Sequence, residues 1–170
     1  MRVQGGMTLA KLHRHLDEHG LAMSNIGSIS DQTVAGVTTV ATHGTGFNFP
    51  VIPTYVLEIL LLLADGTRVQ CSREYNEDLF LATLCGFGTT GLVLEVKLKV
   101  EPAFRLRERQ DVVPFLSMLP ELDSVAQSGE HVRIWWFPST DEAVLHTCDR
   151  VYQVGTCFQH ISHELLIVTK

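Results

Sequence analysis

Long apolar runs and an excess of basic residues are both missing from this sequence. The longest unbroken apolar segment covers residues 59–64, far short of the ~20 residues that a membrane-spanning helix needs. Residues 1–6 lack the apolar core of a secretory signal. Lysine and arginine number 13 against 19 acidic residues, which gives a formal net charge of −6. No transmembrane segment is therefore predicted, and nucleic acid is excluded as a main partner because it calls for a basic surface.

Cysteine is also scarce. The four cysteines are Cys71, Cys85, Cys148 and Cys157. Their wide and uneven spacing is typical of free thiols in a reducing compartment rather than of a disulfide framework. His15 and His19 lie one helical turn apart, and residues 157–163 contain a cysteine and two histidines, but neither set completes a zinc ligand set. No metal site is predicted, and no nucleophile with a paired base is present, so the catalytic residues stay unassigned.

Periodicity of the apolar residues predicts a mixture of helices and antiparallel strands. The chain is long enough for one domain, or for one domain and part of another, and a boundary is expected after Pro102, where the charge pattern changes. One of Trp135 and Trp136 is expected in a core, since neighbours on a strand point to opposite faces. The predicted elements are helices at 9–19, from Asn76 to about 85 and at 112–122, and strands at 56–64, 67–72, 92–100, 132–137 and 143–148.

A run of β-branched residues leads into a small glycine turn. Residues 34–40 favour a strand, which is followed by Thr-His-Gly-Thr-Gly at 42–46. Small residues let main-chain N–H groups converge on an anion, and hydroxyls add neutral donors. Without a lysine in the turn it is not a nucleotide-hydrolysing P-loop. The residues alone leave two interpretations, a cradle for the diphosphate of a bound cofactor and a plain structural turn.

A second glycine segment, Gly-Phe-Gly-Thr-Thr-Gly at 86–91, matches the G-x-G-x-x-G dinucleotide pattern in letters only. That pattern needs a strand before the glycines and a helix after them, so that the helix N-terminus meets the pyrophosphate. Here a helix is predicted before and a strand after. The Rossmann interpretation is rejected, which leaves a tight turn or a close approach of backbone to a flat ligand.

Taken in order, these segments resemble a known family. NIGSISDQTVAGVTTVATHGTG at 25–46 resembles the flavin-binding segment of the sugar-1,4-lactone oxidases, the L-gulonolactone and D-arabinonolactone oxidases of the vanillyl-alcohol-oxidase flavoprotein superfamily. VQGGMTLAKLHRHLDEHGLAMSNIG, GFGTTGLVLEV and HVRIWWFPSTDEAVL resemble the preceding segment, the later glycine turn and the beginning of the substrate domain. The likeness covers roughly residues 3–150.

The resemblance implies an α+β fold: the second lobe of a vanillyl-alcohol-oxidase-type FAD-binding domain at 1–102, lacking the N-terminal phosphate loop, followed by the start of a substrate (cap) domain at 103–170. Residues 151–170 are atypical of the family, and a truncated chain is expected. FAD is the implied cofactor, bound weakly and non-covalently. Its implied contacts are Gly27, Ser28, Ser30, Val34, Ala35, Gly36, Thr42, His43, Gly44, Thr45, Gly46, Gly91, Leu92 and Val93.

The implied reaction is oxidation of an aldono-1,4-lactone, D-arabinono- or L-gulono-1,4-lactone, at C2, with O₂ as acceptor, in ascorbate or erythroascorbate biosynthesis. The implied partners are therefore a sugar lactone and O₂. Family members are associated with mitochondrial or other organelle membranes, which implies an intracellular location. Two alternatives remain open, a catalytically silent FAD-binding fragment and another superfamily member such as an alditol oxidase.

Overall fold

The computed structural model describes residues 1–151 and 164–167, and it has the expected α+β composition. The described chain divides into two compact units. The first unit consists of Met1–Gly44 and Pro50–Ala103, and the second consists of Thr45–Phe49 together with the described residues from Phe104 onward. Among the described residues, no helix combines the length and the apolar character needed to cross a bilayer.

The first unit is built on a four-stranded antiparallel sheet with the order β1-β5-β3-β4. A short antiparallel pair, β2-β6, lies beside it in the same unit. The strands are β1 Arg2–Gln4, β2 Leu21–Ala22, β3 Val56–Leu62, β4 Arg68–Ser72, β5 Leu92–Leu98 and β6 Glu101–Pro102. The predicted strands at 56–64, 67–72 and 92–100 are confirmed, and an Asp-Gly turn at 65–66 joins β3 to β4.

The first helix, α1 (Leu9–Glu18), forms as its sequence predicts. Thr8 caps its N-terminus by accepting a hydrogen bond from the Lys11 N–H, and Gly20 adopts the left-handed conformation just after the helix. Three leucines at helical spacing are almost fully buried. Together with apolar residues of the sheet they form the core of this unit, which includes Leu9, Leu12, Leu16, Ile52, Ile59, Leu61, Phe80, Val96 and Leu98.

The prediction of a strand at 34–40 is wrong, because Val34–Thr39 forms a helix, α2. The Thr33 side chain caps the helix by accepting from the Gly36 N–H at 3.1 Å. The buried residues are Val34, Val37 and Thr38. Their i, i+3, i+4 spacing is that of a helix with one face against a core. Tertiary packing of this face outweighs the weak strand preference of the β-branched residues.

The third helix, α3 (Glu77–Thr83), is shorter than predicted and is capped differently. Asn76 stands at the N-cap with φ 51°, but its side chain makes no capping hydrogen bond. Its Nδ2 instead donates to the Gln70 carbonyl at 2.8 Å. Asn76 therefore ties the start of α3 back to β4, and the first helical N–H groups are left to solvent.

The second unit contains a second antiparallel sheet, with the order β10-β7-β9-β8. Its strands are β7 Arg105–Pro114, β8 His131–Phe137, β9 Glu142–Val151 and β10 Glu164–Ile167, and two short helices, α4 Phe115–Met118 and α5 Leu122–Ala126, join β7 to β8. The predicted hairpin at 132–137 and 143–148 is confirmed. The predicted helix at 112–122 begins too early, since residues 112–114 belong to β7.

The two tryptophans of β8 depart from the sequence expectation. Trp135 is 52% exposed and Trp136 is 50% exposed, so the prediction that one of them lies in a core is wrong. Trp136 stacks on Phe115 of α4 with ring centres 4.5 Å apart, and Trp135 lies against His146 of β9. The small core of this unit uses Met118, Ala143 and Leu145 instead.

Candidate functional site

An open groove of about 370 Å³ lies in the first unit, between the chain segment after β2 and the segment after α2. Four of the predicted cofactor contacts line it: Gly27 and Ser28 from one segment, Thr42 and His43 from the other. Sequence reasoning missed the other lining residues, which flank these four: Ile29, Gln32, Val40 and Ala41. None of the lining residues is a lysine or an arginine.

The two segments approach so closely that side chains are excluded where they meet. A Cβ on Gly44 would overlap Oδ1 of Asn25 and lie 2.6 Å from the carbonyl oxygen of Ile26. A Cβ on Gly27 would lie 2.9 Å from Cγ2 of Thr42. The glycines are thus required by contact of backbone with protein, and this contact sets the width of the groove.

Asn25 is the polar anchor of this contact. Its side chain is 3% exposed, its Nδ2 donates to the Pro50 carbonyl at 3.4 Å, and its Oδ1 accepts from the Ile26 N–H at 3.1 Å. The second segment is fixed by the Ile52 N–H, which donates to the Thr42 carbonyl at 2.8 Å. A buried asparagine with its own hydrogen bonds is a structural signal that the sequence did not reveal.

Helix α2 supports the groove, and several of its predicted cofactor-contact amides already have protein partners. The Val34 N–H donates to the Met7 carbonyl and the Ala35 N–H to the Gly5 carbonyl, both at 2.8 Å. The Gly36 N–H donates to the Thr33 cap. Ser30 is exposed at the turn before the helix, and its carbonyl accepts from Ala10.

The turn at 84–91 is bonded to the C-terminal end of α2. The Cys85 N–H donates to the Thr38 carbonyl at 3.2 Å, and the Phe87 N–H donates to the Thr39 carbonyl at 2.8 Å. A helix precedes this turn and β5 follows it, so the strand–glycine–helix order of a dinucleotide motif is absent here, as predicted. Two of the carbonyls left open at the helix end are thereby satisfied by a distant part of the chain.

The remaining predicted contacts of the first unit lie where this turn enters β5. Gly91 has φ +147°, and a Cβ there would lie 2.7 Å from the Leu62 carbonyl oxygen, so only glycine fits. Leu92 is 63% exposed, whereas Val93 is buried in the sheet. An exposed leucine at a strand edge is an apolar surface available to a flat ligand.

Thr45 and Gly46 belong to the second unit. The Thr45 carbonyl accepts from the Val132 N–H at 3.1 Å, and Gly46 forms an isolated bridge with His131. The His131 ring stacks on Phe49 with ring centres 4.9 Å apart. Burial, more than the nearby charges, lowers the pKa of His131 below 6.5, so this ring is neutral at pH 7.

The groove residues fit a diphosphate held without a fixed positive charge. Within the described residues, the N–H groups of Gly27, Ser28, His43 and Gly44 donate to no protein acceptor. Two hydroxyls, on Ser28 and Thr42, stand in the same lining. Free amides and hydroxyls in a concave surface are donors of the kind that bind phosphate oxygens. His43 Nδ1 donates to the Gly44 carbonyl at 2.9 Å, which leaves its Nε2 as an acceptor.

Comparison with known proteins identifies this architecture. Residues 1–72 match the family model described as FAD binding domain, and residues 96–166 match the one described as D-arabinono-1,4-lactone oxidase. The chain is similar to the sugar-1,4-lactone oxidases in this part of its sequence. It carries part of an FAD-binding domain, and the cofactor of that domain is FAD.

Curated lactone oxidases align in sequence with most of this chain. Identity is 40% to L-gulonolactone oxidase of Mus musculus over 82% of this chain and 32% of that protein. It is 33% to D-arabinono-1,4-lactone oxidase of Yarrowia lipolytica over 84% of this chain and 27% of that protein. The chain thus spans about a third of the length of the curated relatives it matches.

The fold itself matches that of a solved structure. A solvent-stable cholesterol oxidase aligns with a TM-score of 0.78 over 89% of this chain and 32% of that chain, at 23% identity. At this identity the likeness concerns the fold alone. It agrees with the vanillyl-alcohol-oxidase-type architecture that the sequence resemblance implied.

Proposed function

We propose that this chain serves FAD-dependent oxidation of an aldono-1,4-lactone, D-arabinono- or L-gulono-1,4-lactone, at C2, with O₂ as acceptor, in ascorbate or erythroascorbate formation. The relatives' names support the substrate class, and the two matched family descriptions support the pairing of cofactor with lactone. Bound FAD would supply the hydride acceptor for oxidation at C2, with the 2-hydroxyl proton going to a base and O₂ as the final two-electron acceptor, giving peroxide.

The observation that carries the proposal is the groove and its free amides. Gly27 and Ser28 on one wall and His43 on the other present main-chain donors without lysine or arginine, and the free N–H of Gly44 follows directly after His43. We infer that they hold the pyrophosphate side of FAD, with hydroxyls of Ser28 and Thr42 as further donors. Neutral donors suit a cofactor that stays bound and is not turned over as a charged substrate.

The other predicted contacts have a second role in the same proposal. Val34, Ala35 and Gly36 fix the position of α2, because their amides are bonded to protein acceptors, and Ser30 lies in the turn before that helix. At the start of β5, the exposed Leu92 side chain supplies an apolar surface for the flat ring system, next to Gly91 and the buried Val93. Thr45 and Gly46 belong to the second unit, and the family resemblance alone predicts them as contacts.

Titration of FAD into the purified chain tests the proposal through quenching of flavin fluorescence. Saturable, non-covalent binding is expected, with flavin released on acid precipitation. Ala41→Trp fills the groove from an exposed lining position, so FAD affinity should fall at least tenfold, about 1.4 kcal/mol. Ala82→Trp, on the exposed side of α3, is the matched control and should bind as the unmodified chain does.

Two outcomes contradict the assignment of the groove. One is the absence of saturable quenching by the unmodified chain, and the other is equal affinity of the two tryptophan variants. Lactone-dependent peroxide formation is measured in parallel. For the 170-residue chain with excess FAD we expect flavin binding without turnover, because no base has been assigned within it. Turnover by this chain would place the base among its own residues.

A further inference from the structure

A polar cluster occupies one face of the sheet in the second unit. It consists of Glu108 on β7, Arg133 and Trp135 on β8, and His146 on β9. His146 lies opposite Arg133 in the strand register. Glu108 is 3% exposed and His146 is 7% exposed. Charged and titratable side chains are rarely buried to this degree unless they are paired, and Glu108 and His146 are paired with each other.

Contacts within the cluster orient the arginine. His146 Nδ1 donates to Oε1 of Glu108 at 2.6 Å. Nη2 of Arg133 lies 3.8 Å from the same oxygen, and its guanidinium carbon lies 4.8 Å from the centre of the Trp135 ring. The guanidinium plane is therefore held between a carboxylate and an aromatic ring, which limits its rotamers before any ligand arrives.

The cluster has unused hydrogen-bonding capacity and an open side. Nε of Arg133 and Nε2 of His146 are buried and have no hydrogen-bond partner in the described part of the chain. The Arg133 side chain is 40% exposed and Trp135 is 52% exposed. Buried polar atoms without partners are uncommon and mark places where a water or a ligand belongs. Donors beside an open aromatic ring are typical of ligand sites.

The charge balance of the cluster indicates what kind of ligand it suits. The Glu108 carboxylate offsets the Arg133 guanidinium, so an anion gains little from the arginine. Burial raises the pKa of the neighbouring Cys148 thiol to about 11, and there the Glu108 carboxylate acts to raise the pKa while Arg133 acts to lower it. A neutral ligand with many oxygen atoms and an apolar ring face is favoured over a carboxylate.

We propose that Arg133, Trp135 and His146 form a binding subsite for the neutral, hydroxyl-rich ring of a sugar lactone, with Glu108 as the positioning residue. The proposal rests on the proposed function for its choice of ligand. Arg133 donates to lactone oxygens, and Trp135 packs against the ring carbons. The hydrogen bond from His146 on β9 fixes the Glu108 carboxylate. Glu108 in turn holds the Arg133 guanidinium in place and sets the preference for uncharged ligands.

The two tryptophans make the subsite directly observable. In Trp136→Phe the only tryptophan left is Trp135, and the aromatic stack on Phe115 is retained. Addition of L-gulono-1,4-lactone to this variant should change the Trp135 emission saturably, with the affinity confirmed by calorimetry on the unmodified chain. Arg133→Lys keeps the charge but loses the planar fork, so lactone affinity should fall about tenfold.

The matched control is Arg109→Lys. Arg109 lies on the same strand as Glu108 but on the opposite sheet face, where its Nε bonds Asp111 at 2.8 Å. The lactone affinity of Arg109→Lys should equal that of the unmodified chain. Circular dichroism checks that all variants fold. Absence of saturable lactone binding overturns the subsite, as does equal affinity of the two arginine variants.

Replacement of the positioning residue separates a functional from a merely structural role. Glu108→Gln can still accept from His146 but leaves Arg133 uncompensated. The ratio of L-gulonate affinity to lactone affinity should therefore rise about tenfold, whereas a structural role would weaken both ligands alike. An unchanged ratio overturns the role of Glu108, and a preference of the unmodified chain for L-gulonate overturns the neutral ligand class. Flavin quenching reports the proposed function separately, so loss of lactone binding with intact FAD binding rejects the subsite alone.

Discussion

Gly44→Ala tests the contact on which the groove depends. The added methyl group would overlap the Asn25 Oδ1 atom and stand 2.6 Å from the Ile26 carbonyl oxygen. The second neighbour is main chain, so a rotamer change of Asn25 cannot relieve the whole clash. The segment at 42–44 must move away from the segment at 25–27, and the groove between them must change its width.

The magnitude follows from the neighbours. Overpacking of a tight site costs roughly 1–3 kcal/mol. Displacement of Asn25 weakens its two hydrogen bonds, to Pro50 and from Ile26, each of which contributes about 1 kcal/mol. We expect Gly44→Ala to lower the free energy of unfolding by about 2–4 kcal/mol, a large share of the 5–15 kcal/mol typical of a domain.

Urea unfolding followed by circular dichroism measures this loss, and flavin quenching at low urea measures the effect on FAD. Gly6→Ala is the matched control, because nothing lies within 4 Å of a Cβ there, and it should change stability by less than about 0.5 kcal/mol. The double variant with Asn25→Ala should lose less free energy of unfolding than the sum of the two single variants, because one partner of the clash has gone. An unfolding midpoint and FAD affinity of Gly44→Ala equal to those of the control would refute the reasoning.

Two further predictions concern the support of the groove and the second unit. Thr33→Ala removes the cap of α2 and should cost about 1 kcal/mol, whereas Thr33→Ser keeps the hydroxyl; equal urea midpoints for the two would show that the cap at 3.1 Å adds nothing. Burial lowers the pKa of His131 in the folded chain, so on acidification the imidazole takes up a proton in the unfolded chain first. His131 therefore contributes stability that is complete above pH 6.5 and is lost as the pH falls below it. The urea midpoint should therefore drop between pH 7 and pH 5, and more steeply than in His131→Gln; parallel drops in the two proteins would contradict this.

Most regular elements could be predicted because their local signals agree with their packing. Helix α1 has a cap, a leucine stripe and a terminal glycine, and the β3–β4 hairpin has an Asp-Gly turn. Helix α2 could not be predicted, since its β-branched residues favour a strand and only the buried face at 34, 37 and 38 makes it a helix. Six residues also provide too little periodicity for a reliable distinction.

The second unit shows a different limit. Residues 112–114 extend β7 because they pair with 142–144 of β9, a contact that no local pattern reveals. Trp135 and Trp136 alternate in direction as expected, yet both remain half exposed. The core of this unit takes alanine, leucine and methionine, while the tryptophans lie near the turn that joins β8 to β9.

The chain segments that form the candidate site could be predicted from the sequence, but the contacts that hold these segments together could not. The resemblance selected Gly27, Ser28, Thr42 and His43, which the fold does bring to one groove. It gave no reason for Asn25, whose buried side chain holds the two segments at their spacing. The polar cluster around Arg133 was equally invisible, because its members come from three strands and meet only through the register of the sheet.

The bonds from Cys85 and Phe87 to the end of α2 have a consequence for where the chain tolerates change in length. The turn at 84–91 is hydrogen-bonded to a helix nearly fifty positions earlier in the chain. An added residue in this turn would therefore shift two hydrogen bonds and the start of β5 together. The turn at Gly66 has nothing within 4 Å of its Cβ position and serves only its own hairpin. A tag, a loop graft or a circular-permutation break belongs at Gly66, whereas the 84–91 turn has a length that the helix dictates.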